Sequence, residues 1–241
     1  MQSCISKVLL ITALLLGAST AVRAGSLQVE PVLVDVIAPG AASTLTLRNQ
    51  GPTPLDAQIR VYRWSLVNGE EKLEPTDDVV ASPPAASLAP KAEYITRIVR
   101  VSKRPLQGEE SYRLLVDQLP DPSQQKNGTV NLLVRYSIPV FFGAADKKSP
   151  AVAWTLTKKG DKVTLIAHNS GDRRLRISAL NLRDAKGKTI SFGVGLAGYA
   201  LGQSAKHWTS SAPGFAVSGP TTISAQSDAG PISAVASIAG R

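Results

Sequence analysis

The side chains that could carry catalysis or hold a metal ion are few in this sequence. The chain has two histidines, His168 and His207, and one cysteine, Cys4. A zinc site takes three or four nitrogen or sulfur ligands, so these residues cannot build one. The paired carboxylates Asp77 and Asp78 lie outside any calcium-loop pattern, and no serine has the glycine context of a hydrolase nucleophile. We therefore predict a protein without enzymatic activity, bound metal or cofactor.

Residues 128–142, which read GTVNLLVRYSIPVFF, could bind another chain by strand pairing. Side chains of opposite character alternate with a period of two, which predicts a β-strand. Pro139 lacks an N–H group and favours an edge or a strand end. The strand is either an ordinary sandwich strand with an apolar inner face or an edge strand that lends its side chains to a partner. Its apolar row consists of Val130, Leu132, Val134, Tyr136 and Ile138.

The first 24 residues have the pattern of a secretory signal peptide. Lys7 precedes an apolar run at 8–17 that is too short to span a bilayer, and a cleavage site follows Ala24. The only cysteine leaves with this segment, and we expect an exported chain without a membrane span. The sequence has 27 Lys and Arg against 18 Asp and Glu. Because these cations are scattered and the chain is exported, we expect an acidic partner rather than nucleic acid.

Short alternating runs separated by turn signals fill the rest of the sequence. About seven predicted strands lie between residues 26 and 142, with turns at 49–54 and at Asn68-Gly69 and a proline-rich loop at 75–90. The pattern restarts after a polar linker at 146–150, and a tail rich in Ser, Ala and Gly beyond about residue 213 is predicted to be partly disordered. We predict an all-β chain: a signal peptide at 1–24, an N-terminal immunoglobulin-like sandwich at 25–145 and a smaller C-terminal sandwich at 146–241.

Four features together resemble the PapD-like periplasmic chaperones of the chaperone–usher pathway. The run ASPP at 81–84 is similar to a loop of the family's first domain, and EESYRL at 109–114 is similar to its signature segment. The run IPVFF at 138–142 stands where the family's partner-binding strand ends. The signal peptide and the two-domain length agree, and the match extends from residue 26 to about residue 210. The segments EPTDD at 74–78 and YRLL at 112–115 resemble the archaic, spore-coat-U-associated branch.

The resemblance implies two sandwiches set at an angle around a cleft, and a chaperone located in the periplasm. Family members lend an edge strand to a pilus subunit that lacks one strand, and an outer-membrane usher then receives the subunit. The implied partners are therefore secreted pilus subunits and an usher. By this resemblance the side chains that fill the subunit's pockets are Val130, Leu132, Val134 and Tyr136. The edge-strand interpretation of residues 128–142 is thereby favoured.

The resemblance also implies an anchor for the C-terminal carboxylate of the subunit. Typical members use an arginine in the first strand and a lysine late in the partner-binding strand. The corresponding positions here are Pro31 and Pro139, which carry no charge. Arg135 is the nearest replacement, and Arg97 and Arg113 are the other candidates. Each of the three arginines is otherwise a solvated strand residue.

Arg100 and Glu109 resemble the interdomain salt bridge of the family, which would fix the angle between the sandwiches. Otherwise they form a surface pair worth about 0–1 kcal/mol. For the whole chain, the alternative functions are an extracellular structural or adhesive β-sandwich protein and a secreted hydrolase on a β scaffold. Two sandwich-sized halves without a cysteine disfavour a pilus subunit, and the missing nucleophile motif disfavours a hydrolase.

Overall fold

A computed structural model describes residues 26–121, 132–144 and 148–238, and these form β-structure without a helix. The predicted signal peptide lies outside the described residues. The first ten strands are β1 (Leu27–Glu30), β2 (Val34–Ile37), β3 (Ala42–Asn49), β4 (Leu55–Val67), β5 (Glu70–Pro75), β6 (Val79–Ser82), β7 (Ala85–Leu88), β8 (Glu93–Arg100), β9 (Glu109–Gln118) and β10 (Arg135–Gly143). The others are β11 (Val152–Lys159), β12 (Lys162–Asn169), β13 (Leu175–Arg183), β14 (Thr189–Ser191), β15 (Leu196–Ala200), β16 (Ser204–Ser211), β17 (Thr221–Ser227) and β18 (Gly230–Ile238).

The N-terminal domain is a sandwich of two sheets, as the sequence predicted. One sheet has the strand order β1-β3-β8-β6, and the other has the order β2-β10-β9-β4-β5, with β7 paired to the first part of β4. The chain crosses from the first sheet to the second at the cis peptide bond between Glu30 and Pro31. Alternate side chains of both sheets meet in a closed apolar core that includes Leu45, Ile98 and Leu114.

The C-terminal domain is a second sandwich with its own apolar core. Its strand order is β14-β13-β17-β18-β11-β12-β16, and β15 also pairs with β13. The segment that we predicted to be partly disordered forms β17 and β18, which lie between β13 and β11 in this order. Small buried side chains such as Ala225 and Ala236 carry the period-two pattern there. The composition resembled a disordered tail because Ala and Ser replace the larger apolar residues of an ordinary strand.

A buried asparagine organises the same turn in both domains. The side chains of Asn49 and Asn169 donate to backbone carbonyls, and each side-chain oxygen accepts the N–H of a glycine two residues on, Gly51 or Gly171. A buried amide of this kind is stable only when its donors and acceptors are paired. The second turn leads directly to Arg174, which contacts the N-terminal domain.

The hairpin between β4 and β5 also reaches the C-terminal domain. Asn68 and Gly69 have positive φ values of 53° and 80°, which is typical of the two-residue hairpin turn that the sequence predicted. The backbone N–H of His207 donates to the carbonyl of Gly69 at 3.2 Å. A Cβ atom on Gly69 would lie 2.0 Å from the His207 ring. The glycine therefore provides both the turn conformation and the close approach of the two domains.

Alanine at Gly69 is expected to destabilise the chain more than alanine at Gly160. Gly160 also has a positive φ in a hairpin turn, but nothing lies within 4 Å of a Cβ built there. Gly160→Ala should cost about 1–2 kcal/mol from backbone conformation alone, whereas Gly69→Ala should cost about 1–3 kcal/mol more from the contact with His207. Urea unfolding of both variants measures the difference. Equal losses of stability would contradict a tight contact at Gly69.

Candidate functional site

Strand β10 has one hydrogen-bonding edge that is only partly covered. Its other edge pairs with β9 along the whole strand, from Arg135 to Gly143. On the free side, β2 pairs with β10 only from Val140 onwards. Among the described residues, no strand covers this side between Arg135 and Pro139. An extended chain could therefore pair with β10 there, next to β2.

The hydrogen-bond ladder decides which backbone groups face the free edge. The N–H of Gln118 donates to the carbonyl of Val134 at 3.0 Å, so even-numbered residues of β10 bond to β9. Odd-numbered residues then direct their N–H and C=O groups toward the free edge. Arg135 and Ser137 present both groups there. Pro139 lacks an N–H on that side only, and its presence removes no hydrogen bond to β9.

The strand begins later than predicted. Residues 132–134 have no strand assignment, and the ladder continues past Arg135 only through the carbonyl of Val134. The physical reason is that the neighbouring strand β9 ends at Gln118 and is followed by Pro120, which cannot donate a ladder hydrogen bond. Residues 128–131, including the predicted pocket residue Val130, lie outside the described residues.

The apolar row of β10 runs from the core out into solvent. At its inner end, Ile138 is buried in the core of the sandwich. Tyr136 is half-buried, packs on this core and donates its hydroxyl to the carbonyl of Leu27 at 2.8 Å. Val134 is half-buried, and Leu132 is 79% exposed. A pocket of about 240 Å³ lies between β1 and Tyr136. The outer end of the row is therefore free apolar surface beside an open strand edge.

On the opposite face of β10, Arg135 lies next to a second arginine that sequence reasoning missed. Arg135 and Arg60 both donate to the carboxylate of Asp117, Arg60 at 2.6 Å. Burial raises the pKa of Asp117, but the hydrogen bonds from the two arginines outweigh it, and the pKa lies below its usual value. The hydrogen bond to Asp117 likewise raises the pKa of Arg60. The two-residue alternation of AQIRVY (57–62) predicts that Arg60 lies on the outer face, but it does not predict that Arg60 lies beside Asp117.

The other two candidate anchors lie elsewhere. Arg113 stacks on the ring of Trp64, with its Cζ atom 3.8 Å from the ring centroid, and its Nη2 lies 3.3 Å from Glu71. Arg97 is exposed on β8, which belongs to the other sheet. Of the three candidates, only Arg135 lies on the uncovered part of β10 itself. Arg113 lies on β9 directly opposite Pro139, where Trp64 and Glu71 hold its guanidinium.

An aromatic cluster joins the two domains at the end of β10. Phe141, on the outer face of the strand, contacts Trp64 of β4 and Tyr199 of the C-terminal domain, with ring centroids 5.8 and 5.7 Å away. Trp64 and Tyr199 meet edge to face at 5.5 Å. All three rings are almost completely buried, together with Leu201. Burial and aromatic contact thus hold the C-terminal domain against the outer face of this sheet.

A buried ion cluster lies beside the aromatic rings. The guanidinium of Arg174 is 3.6 Å from the centroid of Phe141 and pairs with Glu109 of β9 and, at 2.7 Å, with Asp35 of β2. The backbone N–H of Arg174 donates to Glu109 at 2.9 Å. Burial raises the pKa of Glu109, while the two carboxylates hold the pKa of Arg174 above its usual value despite burial. Arg174 therefore remains charged between the domains.

The predicted salt bridge between Arg100 and Glu109 is wrong, because each of the two residues pairs with a different partner. Arg100 instead pairs with Glu110, at 2.8 Å, within the N-terminal domain, whereas Glu109 pairs with Arg174 across the domain junction. Successive residues of a strand point to opposite faces, so Glu110 shares the inner face with Tyr112, whose hydroxyl it accepts at 2.9 Å. Burial raises the pKa of Tyr112, and the hydrogen bond to Glu110 adds to this effect.

Glu109→Ala is expected to destabilise the domain junction strongly. Removing one member of a buried ion pair leaves the other charge uncompensated, which typically costs about 3–5 kcal/mol. Glu93→Ala is the control, because Glu93 pairs with Arg48 at an exposed site and should cost about 0–1 kcal/mol. Chemical unfolding measures stability, and small-angle scattering reports the domain orientation. Similar effects of the two variants would exclude a structural role for the cluster around Arg174.

Possible metal ligands are scattered in the described residues. Within them, no group of three His, Cys, Asp or Glu side chains is arranged to hold a metal ion. His168 lies exposed on β12, and His207 lies on β16 at the contact with Gly69. No helix in this part of the chain has the length and hydrophobicity needed to cross a bilayer.

Comparison with known proteins identifies the fold. A complex of the CsuC chaperone with the CsuE tip adhesion subunit, from the archaic Csu pili of Acinetobacter baumannii, matches with 23% identity, a TM-score of 0.66 and coverage of 88% of this chain and 97% of that one. The YadV chaperone matches with 18% identity, a TM-score of 0.62 and coverage of 88% and 98%. The SafB chaperone in complex with SafA pilin, from Salmonella enterica, matches with 19% identity, a TM-score of 0.60 and coverage of 89% and 98%.

A match to one family model agrees with the structural comparisons. No curated protein sequence matches the chain significantly. Residues 26–145 match the family model for pili and flagellar-assembly chaperones, PapD N-terminal domain. This is the domain that contains the open edge of β10. The chain belongs to the PapD-like family of pilus-assembly chaperones of the chaperone–usher pathway, whose members are periplasmic.

Proposed function

We propose that this protein is a non-enzymatic periplasmic chaperone that caps a pilus subunit by lending it the free edge of β10, and that it delivers the subunit to an outer-membrane usher. The observation that carries the proposal is the uncovered edge between Arg135 and Pro139, continued by the exposed apolar residues before it. We also propose that the exported form divides into domains at 25–145 and 146–241 after loss of residues 1–24.

Two kinds of contact would hold the subunit. The free N–H and C=O groups of Arg135 and Ser137 can bond to a strand of the subunit, as in β-strand addition generally. Leu132 and Val134 would insert into the apolar gap of an incomplete sandwich, with Val130 as a further filler if the subunit extends that far. Each apolar side chain removed from water contributes about 1.5–3 kcal/mol.

Unlike Leu132 and Val134, Tyr136 is bound to the chaperone's own N-terminal domain. Its hydroxyl bonds to the carbonyl of Leu27 and its ring packs on the chaperone's own core. We therefore assign Tyr136 to the boundary between the two proteins, where it supports the neighbouring pocket fillers instead of entering a deep pocket. The pocket between β1 and Tyr136 would then lie under the incoming strand.

The subunit carboxylate has a candidate binding position at Arg135 and Arg60. Both guanidiniums already hold one carboxylate, that of Asp117, and Arg135 remains 63% exposed. A terminal carboxylate could share Arg135 through charge-assisted hydrogen bonds. Arg135 lies at the start of β10, four residues before Pro139. With the anchor at Arg135, the C-terminus of the subunit would lie near the start of β10 instead of near Pro139.

Two related structures support these partners. In one a chaperone is bound to a tip adhesion subunit, and in the other a chaperone is bound to a pilin. One of them comes from an archaic chaperone–usher system, in agreement with the resemblance of residues 74–78 and 112–115 to that branch. We therefore propose that the partner of this chain is a subunit of an archaic pilus.

Leu132→Glu tests the donor edge. A carboxylate carried into an apolar gap loses its water without gaining a partner, which costs several kcal/mol. We expect the variant to fold, because Leu132 is exposed, and to lose the co-purifying subunit when isolated from periplasmic extract. Ile95→Glu is the matched control, since Ile95 is an exposed apolar residue on β8 of the other sheet. Normal subunit recovery with Leu132→Glu would reject this edge as the binding site.

Arg135→Ala tests the anchor. Loss of one partner of a desolvated charge pair costs about 2–5 kcal/mol, so the complex should weaken at least tenfold. Arg135→Lys should restore only part of the affinity, because lysine lacks the planar fork of arginine. Arg97→Ala on the other sheet should leave the affinity unchanged. The affinities can be measured by titration with purified subunit. An unchanged affinity in Arg135→Ala would remove Arg135 as the anchor but leave the donor-strand mechanism intact.

A further inference from the structure

The end of the C-terminal domain opposite the domain junction is strongly basic. Strand β11 runs from the junction to the turn at 160–161, and β13 runs from the residue after Arg174 to the turn at 184–188. Eight or nine residues at about 3.3 Å each place both turns roughly 25–30 Å from the junction. We call this end the basic tip. Its exposed cations are Lys158, Lys159, Lys162, Arg183, Lys186 and Lys188.

A shared loop holds the two turns of the basic tip together. Lys158 donates to the carbonyl of Phe215 at 2.8 Å, and Lys188 donates to the carbonyl of Pro213. The N–H of Ala216 donates to Asp184 at 2.8 Å. The loop at 212–216 therefore lies between the turns and brings the six cations to the same end of the domain.

The positive charge of the basic tip is only partly compensated. The ion pairs found in the described part of the C-terminal domain involve Arg173 and Arg174 at the junction and none of the six cations. Asp184 is buried and accepts three backbone N–H groups. Asp161 is the other carboxylate at this end and is exposed. Among the described residues of this end, six exposed cations thus stand against one exposed carboxylate.

We propose that the basic tip binds the anionic phospholipid surface of a membrane. Five of its six cations are lysines, which act as mobile point charges, whereas recognition of one defined carboxylate or phosphate favours the fork of arginine. Clusters of four to eight cations are typical of attraction to anionic lipid headgroups. The exposed large hydrophobic residues of the described chain lie outside both turns, so the tip lacks the apolar anchors that centre protein–protein interfaces.

The position of the basic tip suits this role. It belongs to the C-terminal domain and lies beyond the far ends of β11 and β13, whereas the open edge of β10 lies on the N-terminal domain. Attachment through the tip would leave Leu132 and the free edge accessible. The protein could then collect a subunit close to a membrane.

Vesicle sedimentation tests the proposal with protein purified from the periplasm. Wild-type protein should bind vesicles of phosphatidylglycerol and phosphatidylcholine and should not bind vesicles of phosphatidylcholine alone. Binding should disappear in about 1 M salt, where the screening length is about 3 Å. The variant Lys159→Glu/Lys186→Glu should bind at least tenfold more weakly, since each cation near an anionic surface contributes to attraction.

The matched control is Lys72→Glu/Lys103→Glu, which makes the same change in net charge at exposed sites of the N-terminal domain. It should bind vesicles almost as well as wild type, and both variants should keep the wild-type thermal unfolding midpoint. Equal losses in the two double variants would show that only net charge matters and would overturn the proposal. Absence of wild-type binding to anionic vesicles would also overturn it and would leave an acidic protein as the partner of this surface. Recovery of the pilus subunit is a separate readout, because the basic tip lies outside the open edge.

Discussion

The two-residue alternation along β10 is the constraint on which the rest of the structure depends. One set of residues bonds to β9 and sends side chains such as Ile138 into the core. The other set directs its backbone groups to the free edge and sends Phe141 into the domain junction. A single strand thereby builds the core, holds the second domain and offers an open edge. A shift of register by one residue would exchange the faces and disrupt all three at once.

The domain junction is stabilised by a charge that has lost most of its water. Arg174 lies against Phe141 and between two carboxylates, and a buried guanidinium is tolerable only with such partners. The turn built around Asn169 fixes the backbone just before it. In the equivalent turn, Asn49 donates to the carbonyl of Thr53, and the next residue is Pro54 instead of an arginine. The same local device therefore closes one sandwich and, in the other, also positions the cation that sets the domain contact.

Local patterns in the sequence were sufficient for the all-β architecture, but not for every strand or for the contacts between residues distant in the chain. Period two predicted β10 from its apolar row, and Asn68-Gly69 predicted a hairpin turn. Strand β5, with the sequence EEKLEP, was missed because all of its residues are exposed and no apolar face marks it. The exchange of partners at Glu109 and Glu110 could not be read from the sequence either, because it depends on which face of β9 meets the second domain. Arg60 was missed because its partner Asp117 lies 57 residues away in the chain, and local patterns do not show which distant residues meet.

An exposed strand edge invites aggregation, and this chain limits the hazard in several ways. β2 covers the edge from Val140 onwards. In the uncovered part, Pro139 has no N–H to donate, and Arg135 places a charge at the start of the strand. A covered edge, a proline and a charge all discourage unintended strand pairing. Leu132 and Val134 lie outside the regular strand, so a partner that pairs with them must fix them in a strand conformation. That ordering offsets part of the apolar gain, since fixing one residue costs about 1–2 kcal/mol. In the strand donation that we propose, this cost lowers the affinity for the subunit and so favours its later release.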